Sequence, residues 1–211
     1  MIPRYSLPEM EAVFSDESRF GRWVEIELLA TEAHSALGIV PAADAATCRA
    51  NSPVIDSRFI DDVLDREKIT DHDVAAFVDI LQSRIGGTAG AWVHYGLTSS
   101  DIVDTAWCWM LRDAAELIDA SLGELIAVLV REARAHRDTP MIGRTHGIHA
   151  EPTTFGAKVA LWALQVDRDR RRMKAARFTV SVCKLSGAVG TYSNIDPRVE
   201  EHVAQAMGLR A

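Results

Sequence analysis

One uninterrupted helical pattern, over residues 99–137, restricts the fold of this chain more than any other feature of its sequence. Apolar side chains recur there every three or four residues, as on one face of an α-helix. They are Val103, Ala106, Met110, Leu117, Leu122, Leu125, Ile126, Leu129 and Val130. At 1.5 Å per residue, this helix would be about 50 Å long, which exceeds a small globular domain. An extended bundle of long helices is therefore predicted.

Shorter helical patterns precede this segment, and a second long one follows it. The predicted helices cover residues 16–37, 42–49, 57–67, 70–85, 99–137, 152–177 and 197–207. Thr70 is the expected N-cap of the fourth helix, with Asp73 as its capping-box relative. Ser99 or Ser100 is expected to cap the first long helix, and Pro152 to open the second. No alternating pattern predicts a strand, so the predicted fold class is all-α.

The composition is that of a soluble globular protein, with 48% hydrophobic and 25% charged residues among 211. A net charge of −7 argues against a broad nucleic-acid-binding surface, although local arginines and helix N-termini can still bind a small anion. The three cysteines are widely spaced without a CxxC pair, so we expect reduced thiols and no metal site. Neither a signal core nor a membrane-spanning run is found, and a cytoplasmic protein is predicted.

Three polar stretches between the helices carry groups that transfer protons and hold anions. They are Thr70-Asp71-His72-Asp73, His94-Tyr95-Gly96-Leu97-Thr98-Ser99-Ser100-Asp101 and Gly143-Arg144-Thr145-His146-Gly147-Ile148-His149-Ala150-Glu151-Pro152-Thr153-Thr154-Phe155-Gly156. The third contains two histidines, an arginine, a glutamate, three threonines and three glycines, which a loop that only joins helices does not need. We expect the three stretches to converge on one site.

The third stretch holds the best candidate for proton transfer. His146 is flanked by polar and glycine residues, and an imidazole suits general acid or base chemistry near neutral pH. The alternative is that His146 only caps a helix. Thr145 offers a hydroxyl to a substrate oxygen, whereas His149 by itself is more typical of a structural hydrogen-bonding residue.

The other two stretches fit both a structural and a binding role. His72 and Asp73 lie at a helix start, where capping is as well supported as substrate binding. Thr98, Ser99 and Ser100 are ordinary caps when taken singly, but three hydroxyls at the positive end of a long helix also suit a carboxylate. A Ser-His-Asp hydrolase is a poor fit, because no GxSxG elbow occurs and the helical pattern lacks the sheet that this elbow requires. No GxGxxG or GxxxxGK[ST] loop follows a strand, which argues against a dinucleotide-binding or P-loop protein.

At these residues the sequence resembles the fumarase/aspartase superfamily, and within it the adenylosuccinate lyases of purine biosynthesis. The matching segments are Arg4-Tyr5-Ser6, Pro8-Glu9-Met10, His72-Asp73-Val74, Trp92-Val93-His94-Tyr95-Gly96-Leu97-Thr98-Ser99, Asp101, Val103-Asp104-Thr105-Ala106, the third polar stretch, Ser186-Gly187-Ala188-Val189-Gly190-Thr191-Tyr192 and Asn194-Ile195-Asp196-Pro197. The Thr-Ser and Arg-Thr-His elements are shared across the superfamily. The His-Tyr-Gly-Leu and His-Ala-Glu-Pro-Thr-Thr-Phe-Gly elements are typical of the adenylosuccinate lyases, and the resemblance covers essentially the whole chain.

The resemblance implies a small N-terminal helical domain, residues 1–93, followed by the first part of a central long-helix bundle, residues 94–211. It implies a homotetramer in which each active site draws on three subunits. A nucleotide is the implied small-molecule partner, without cofactor, metal, nucleic acid or membrane. The implied reaction is a β-elimination that releases fumarate from adenylosuccinate, giving AMP, and from succinyl-aminoimidazole carboxamide ribotide, giving its carboxamide.

The resemblance also implies roles for residues in the second and third polar stretches. His146 would be the general acid that protonates the departing purine nitrogen, and Thr145 would contact the succinyl group. Thr98 and Ser99 would hold a carboxylate on the fumarate side of the substrate. His149 would have a supporting role.

The remaining implied roles concern the binding of the nucleotide. His72 and Asp73 would bind the substrate and position it near the acid, and His72 is also counted as catalytic. Arg4 and Tyr5 would hold the phosphate, although composition alone would leave them as solvated surface residues. His94 belongs to the motif with a supporting role.

Two departures from the family pattern matter. Asp71 stands among the substrate-binding residues where the family usually has arginine, and this change of charge weakens phosphate binding unless another group compensates. The family's catalytic base is a serine on a Gly-Ser-Ser loop that would come after Ala211. We therefore expect these 211 residues to correspond to the first half of such an enzyme, with the acid but without the base. A sibling lyase with another succinyl or amino-acid substrate, and an inactive half-length assembly module, remain as alternatives.

Overall fold

A computed structural model of the protein describes residues 2–211, apart from the side chain of Pro3. Its helices are α1 (Pro8–Val13), α2 (Asp16–Ala36), α3 (Ala42–Ala50), α4 (Ser57–Thr70), α5 (Asp73–Ile85), α6 (Gly87–Gly90), α7 (Ser99–Ala135), α8 (Phe155–Val180) and α9 (Pro197–Met207). Two strands, β1 (Pro140–Thr145) and β2 (Ile148–Thr154), form one small antiparallel sheet. The predicted all-α class is confirmed, since the rest of the regular structure is helical.

The chain divides into two compact units. Unit 1 consists of residues 1–112 and 180–211, and unit 2 consists of residues 113–179. The helix α7 runs through the division, so its first third belongs to unit 1 and the remainder to unit 2. The predicted domain boundary after residue 93 falls within unit 1 and stays a prediction.

An aromatic cluster fixes the helices of unit 1 against one another. Phe20 and Trp23 on α2, Phe59 on α4 and Phe77 on α5 are each at most 2% exposed, and neighbouring ring centroids lie 5.2–6.3 Å apart. Full burial of an aromatic side chain of this kind contributes roughly 1.5–3 kcal/mol. The cluster therefore holds the first turn of α5, which carries His72 at its start, in a fixed position.

The connection between α4 and α5 differs from the prediction. Thr70 is the last residue of α4 and not an N-cap, and Asp71 ends that helix in the left-handed conformation, with φ at 50°. His72 is the N-cap of α5, and its side chain accepts a hydrogen bond from the backbone N–H of Ala75. Thr70 was the wrong choice because an aspartate tolerates the left-handed region, which allowed α4 to continue further.

The third polar stretch forms a β-hairpin, so the prediction of a loop without strands was wrong there. Thr145 pairs with Ile148, which leaves His146 and Gly147 as a two-residue turn. Pro152 lies in β2 opposite Ile142 and does not open a helix; α8 begins three residues later, at Phe155. The two strands were not predicted because they are short and largely exposed, and because each contains a proline, Pro140 or Pro152, which argues against a strand.

The two long helices of the prediction are present. α7 begins at Ser99, so the residue before its first turn is Thr98 and the prediction of Ser99 or Ser100 as the N-cap was wrong. α8 follows the hairpin and ends at Val180. Within unit 2, the backbone of Gly156 passes so close to α7 that a Cβ atom there would lie 2.5 Å from the carbonyl oxygen of Ala133. Arg170 on α8 donates two hydrogen bonds to the Asp119 carboxylate on α7, at 2.8 and 3.0 Å. Among residues 2–211, none of the helices is long and apolar enough to cross a membrane.

Candidate active site

His72 connects the first polar stretch to the second. Its Nδ1 accepts the N–H of Ala75 at 3.3 Å, so in the neutral ring the proton resides on Nε2. That Nε2 lies 3.3 Å from Oγ of Ser99, to which it can donate. Asp73 Oδ1 is 3.3 Å from Nδ1 and also caps the N–H of Val74. Two predicted substrate-binding residues that are 27 positions apart therefore meet in unit 1.

The start of α7 is organised by a buried acid. Asp101 is fully buried, and its Oδ2 accepts the backbone N–H of Thr98 at 3.0 Å, while its own N–H donates to the Thr98 carbonyl. The Asp101 side chain thus satisfies the N–H of the residue before the helix, as in one half of a capping box, whereas the return bond goes to the Thr98 carbonyl and not to its hydroxyl. It fixes Thr98 and Ser99 at the positive end of a 37-residue helix, which is a favourable place for a carboxylate.

His94 is held by a second buried acid. Glu27 on α2 is fully buried and accepts the His94 backbone N–H at 2.8 Å and its Nδ1–H at 2.6 Å. Burial by itself lowers the pKa of the His94 ring, but the hydrogen bond and the charge of Glu27 outweigh it, so the pKa is raised. The pair is 67 residues apart in sequence and fixes the tautomer and orientation of the imidazole.

Stability should depend on pH through this pair. A histidine whose pKa is raised by folding stabilises the protein fully below its ordinary value of about 6.5, and this contribution is lost as the pH rises through the raised pKa. Glu27→Gln should remove that slope and cost about 1.5–3 kcal/mol at low pH, as for a hydrogen bond to a charged group. Urea denaturation of both proteins across the pH range measures this. Burial lowers the pKa of His34, so this residue also makes stability depend on pH, but its contribution is the same in both proteins. Identical slopes of the free energy of unfolding against pH would therefore contradict the prediction.

Thr145, His146 and His149 belong to unit 2, where all three side chains are exposed. His146 and Gly147 have φ values of 50° and 74°, as the two central residues of a type I′ turn require. Non-glycine residues are uncommon in the left-handed region, although histidine is one of the types found there more often, and such positions cluster at functional sites. The turn places the exposed imidazole at the tip of the two-stranded β-hairpin.

Other non-glycine residues also have a positive φ. In the described part of the chain they are Asp71, His94 and Tyr192, in addition to His146. Each strained backbone position costs on the order of 1–3 kcal/mol and persists only where its surroundings enforce it. Asp71, His94 and His146 lie in the three polar stretches and Tyr192 lies in a matching segment, which supports a functional reading of these segments.

Arg4 and Tyr5 lie in the 3₁₀ turn at Pro3–Tyr5 and are exposed. The guanidinium carbon of Arg4 stands 4.9 Å from the centre of the Tyr5 ring, a cation–π contact between neighbours. These two residues contact each other, and their predicted role with a phosphate stays a prediction.

Sequence reasoning missed four charged residues that shape the site. Glu27, Lys184 and Glu200 are not among the predicted site residues, and Asp101 is only a member of the second polar stretch without a predicted role. Glu200 is buried and accepts the N–H of Leu185 and the hydroxyl of Tyr192, at 2.7 and 2.8 Å. The sequence did contain a signal for Glu27, because this glutamate stands among the apolar residues of α2 and a buried acid needs hydrogen-bond donors.

Residues 4–211 match the lyase family Lyase_1. The chain belongs to this family, and the resemblance to the superfamily is confirmed. It is 46% identical to the adenylosuccinate lyase of Bacillus subtilis (strain 168) and 44% identical to that of Staphylococcus saprophyticus, over 211 residues in each case. All of this chain is covered but only 48% of each relative, so it spans about half the length of the curated relatives that it matches.

Solved structures of the superfamily have the same fold. A fumarate lyase from Mesorhizobium sp. BNC1 superposes with a TM-score of 0.89 at 34% identity, covering 96% of this chain and 48% of the other. The 3-carboxy-cis,cis-muconate lactonizing enzyme from Pseudomonas putida gives 0.88 at 30% identity, covering 98% and 48%. These two structures share the fold of this chain, and their names refer to different reactions.

Proposed function

We propose that this chain provides part of the active site of an adenylosuccinate lyase. The contact between His72 and Ser99 carries the proposal, because it joins two predicted substrate-binding stretches in one place. The choice of substrate is supported by 44–46% identity to two proteins with that activity in their names, against 34% and 30% for the two solved lyases.

In the proposed reaction, a base removes a proton beside a carboxylate of the succinyl group. Negative charge then builds up on that group, and the Thr98 and Ser99 hydroxyls at the N-terminus of α7 stabilise it. The C–N bond breaks, its electrons pass to the departing nitrogen, and His146 supplies the proton that this nitrogen takes up. Fumarate and AMP are the products. The base is a serine that the resemblance places beyond residue 211.

The nucleotide would be held by residues of unit 1. Arg4 and Tyr5 would contact the phosphate, and His72 and Asp73 would orient the substrate toward the acid. Asp71 is exposed beside them and brings a negative charge where the family has a positive one. This negative charge should weaken the binding of the phosphate unless other cations compensate for it. The affinity of the protein for the nucleotide therefore measures how far they do.

We propose a cytoplasmic homotetramer with sites shared between subunits and without a cofactor. The exposed apolar side chains of unit 2 support association through α7 and α8. They are Leu125 and Val128 on α7 and Leu161, Trp162, Leu164 and Phe178 on α8, with exposures of 41–62%. Large apolar residues in such number on two long helices are typical of a face that other subunits cover.

Two other functions have an observation in their favour. A sibling lyase is favoured by the similarity to enzymes named for fumarate and carboxy-muconate chemistry. An inactive assembly module is favoured by the half-length match. A panel of succinyl and amino-acid substrates separates the first from an adenylosuccinate lyase, and pairing with a full-length relative without any gain of activity would identify the second.

The decisive experiment compares two proteins. The first is this 211-residue chain, and the second joins it to the remaining half of the Bacillus subtilis relative. Adenylosuccinate cleavage is followed by ultraviolet absorbance, with the mass in solution measured in parallel. We expect no turnover from the chain by itself and clear turnover from the fusion. Turnover by the chain alone would move the base into residues 1–211, and a folded, assembled but inactive fusion would contradict the proposed function.

A further inference from the structure

Asp101 makes more contacts than the capping of α7 requires. Its side chain is fully buried and accepts four hydrogen bonds. The Thr98 and Gly187 N–H groups donate to Oδ2 at 3.0 and 3.1 Å, and the Ser186 N–H and Lys184 Nζ donate to Oδ1 at 3.1 and 2.6 Å. All four ordinary acceptor positions of the carboxylate are thus in use.

Helix capping explains only the contact with Thr98. The other three donors come from residues 184–187, more than 80 positions further along the chain. A buried carboxylate is unfavourable unless a cation and several N–H groups compensate for its lost hydration. The complete compensation of Asp101 by a distant segment shows that this carboxylate joins two parts of unit 1.

Lys184 makes hydrogen bonds to two successive turns of α7. Its Nζ lies 2.6 Å from Asp101 and 3.1 Å from the Ser100 hydroxyl, and it is 3.4 Å from the Gly187 carbonyl. One turn further along α7, the Thr105 hydroxyl accepts the Lys184 N–H and donates to the Lys184 carbonyl, both at 3.0 Å. The segment is therefore fixed in both its backbone and its side chain.

We infer that Asp101 and Lys184 form a positioning pair that sets the start of α7 so that Ser99 meets His72. The carboxylate fixes the Thr98 backbone from one side, and the ammonium group fixes Ser100 from the other. Ser99 lies between these two anchored residues, which determines where its hydroxyl points. The pair itself stays out of the reaction, and only its effect on turnover rests on the proposed function.

The ring nitrogens of His72 report this positioning in the 211-residue chain without any substrate. The ¹⁵N and ring-proton shifts are measured at one pH for the wild type, Asp101→Asn and Ser99→Ala, the last of which removes the hydroxyl partner. We expect Asp101→Asn to move the Nε2 shift at least half of the way toward the Ser99→Ala value. A folded Asp101→Asn protein with the wild-type shift would overturn the inference.

Two further variants keep the test decisive. Asp104→Asn changes an exposed acid on the same helix and should leave the His72 shifts unchanged. Lys184→Met keeps the three N–H donors to Asp101, so it serves if Asp101→Asn does not fold. It should move the same shift in the same direction by a smaller amount, and wild-type shifts in Lys184→Met would then reject the inference.

The fusion with the Bacillus subtilis half adds a kinetic measurement. Misplacement of a substrate-contacting group by about 1 Å can cost about 100-fold in rate, so we expect kcat/KM for adenylosuccinate to fall by about 10- to 100-fold in Asp101→Asn. Asp104→Asn should keep the wild-type value. An inactive wild-type fusion would reject the proposed function, while the His72 shifts would still decide the role of the pair. With an active fusion, an unchanged kcat/KM in Asp101→Asn would count against the positioning role of Asp101 and Lys184.

Discussion

Replacing His146 by alanine is expected to lower the turnover of adenylosuccinate by about 10²- to 10⁴-fold, the usual contribution of a general acid. The physical reason is that the departing nitrogen would then leave without a proton. The measurement is kcat in the fusion with the Bacillus subtilis half. The mass in solution should stay that of the wild type, because the exposed His146 side chain contributes little to the packing of unit 2.

A second variant separates proton donation from backbone strain. His146 has a φ of 50°, and asparagine tolerates that region better than alanine does. His146→Asn should therefore preserve the turn but lose the rate to the same extent. His202→Ala, an exposed histidine on α9 outside the motifs, is the matched control and should keep its activity. Near-normal turnover in both His146 variants would show that the acid is another group.

Replacing Gly96 by alanine is expected to destabilise the protein by about 2–5 kcal/mol. Gly96 has a φ of +76°, and a Cβ atom there would lie 2.3 Å from the carbonyl oxygen of Asn194. The left-handed conformation costs an alanine roughly 1–2 kcal/mol, and overpacking against backbone adds roughly 1–3 kcal/mol. Urea denaturation of the chain gives the free energy of unfolding directly.

Gly38→Ala is the matched control for this prediction. Gly38 has nearly the same φ, +78°, but no atom within 4 Å of the position of a Cβ. Its replacement should therefore cost only the conformational part, about 1–2 kcal/mol. Equal losses of stability in the two variants would show that the approach of residues 96 and 194 is not tight in solution.

The helices of this protein follow from local sequence, and most of them could be predicted. Ser15 caps α2, Gly86 ends α5, and Asp196 with a proline after it begins α9, each through a contact within a few residues. The apolar spacing of α7 was also sufficient to predict a helix of unusual length. The sequence by itself further determined which segments carry the reactive groups, because their composition does not suit simple connections.

The hairpin of residues 140–154 and the anchoring of the site depended on tertiary structure. The two strands are short and exposed and each contains a proline, so the turn that carries His146 could not be recognised from local sequence. Glu27 reaches His94 across 67 residues, and Asp101 reaches Lys184 across 83. A buried acid needs donors that no local rule supplies. Only the packing of α2 and α7 against distant segments decides which groups compensate each charge.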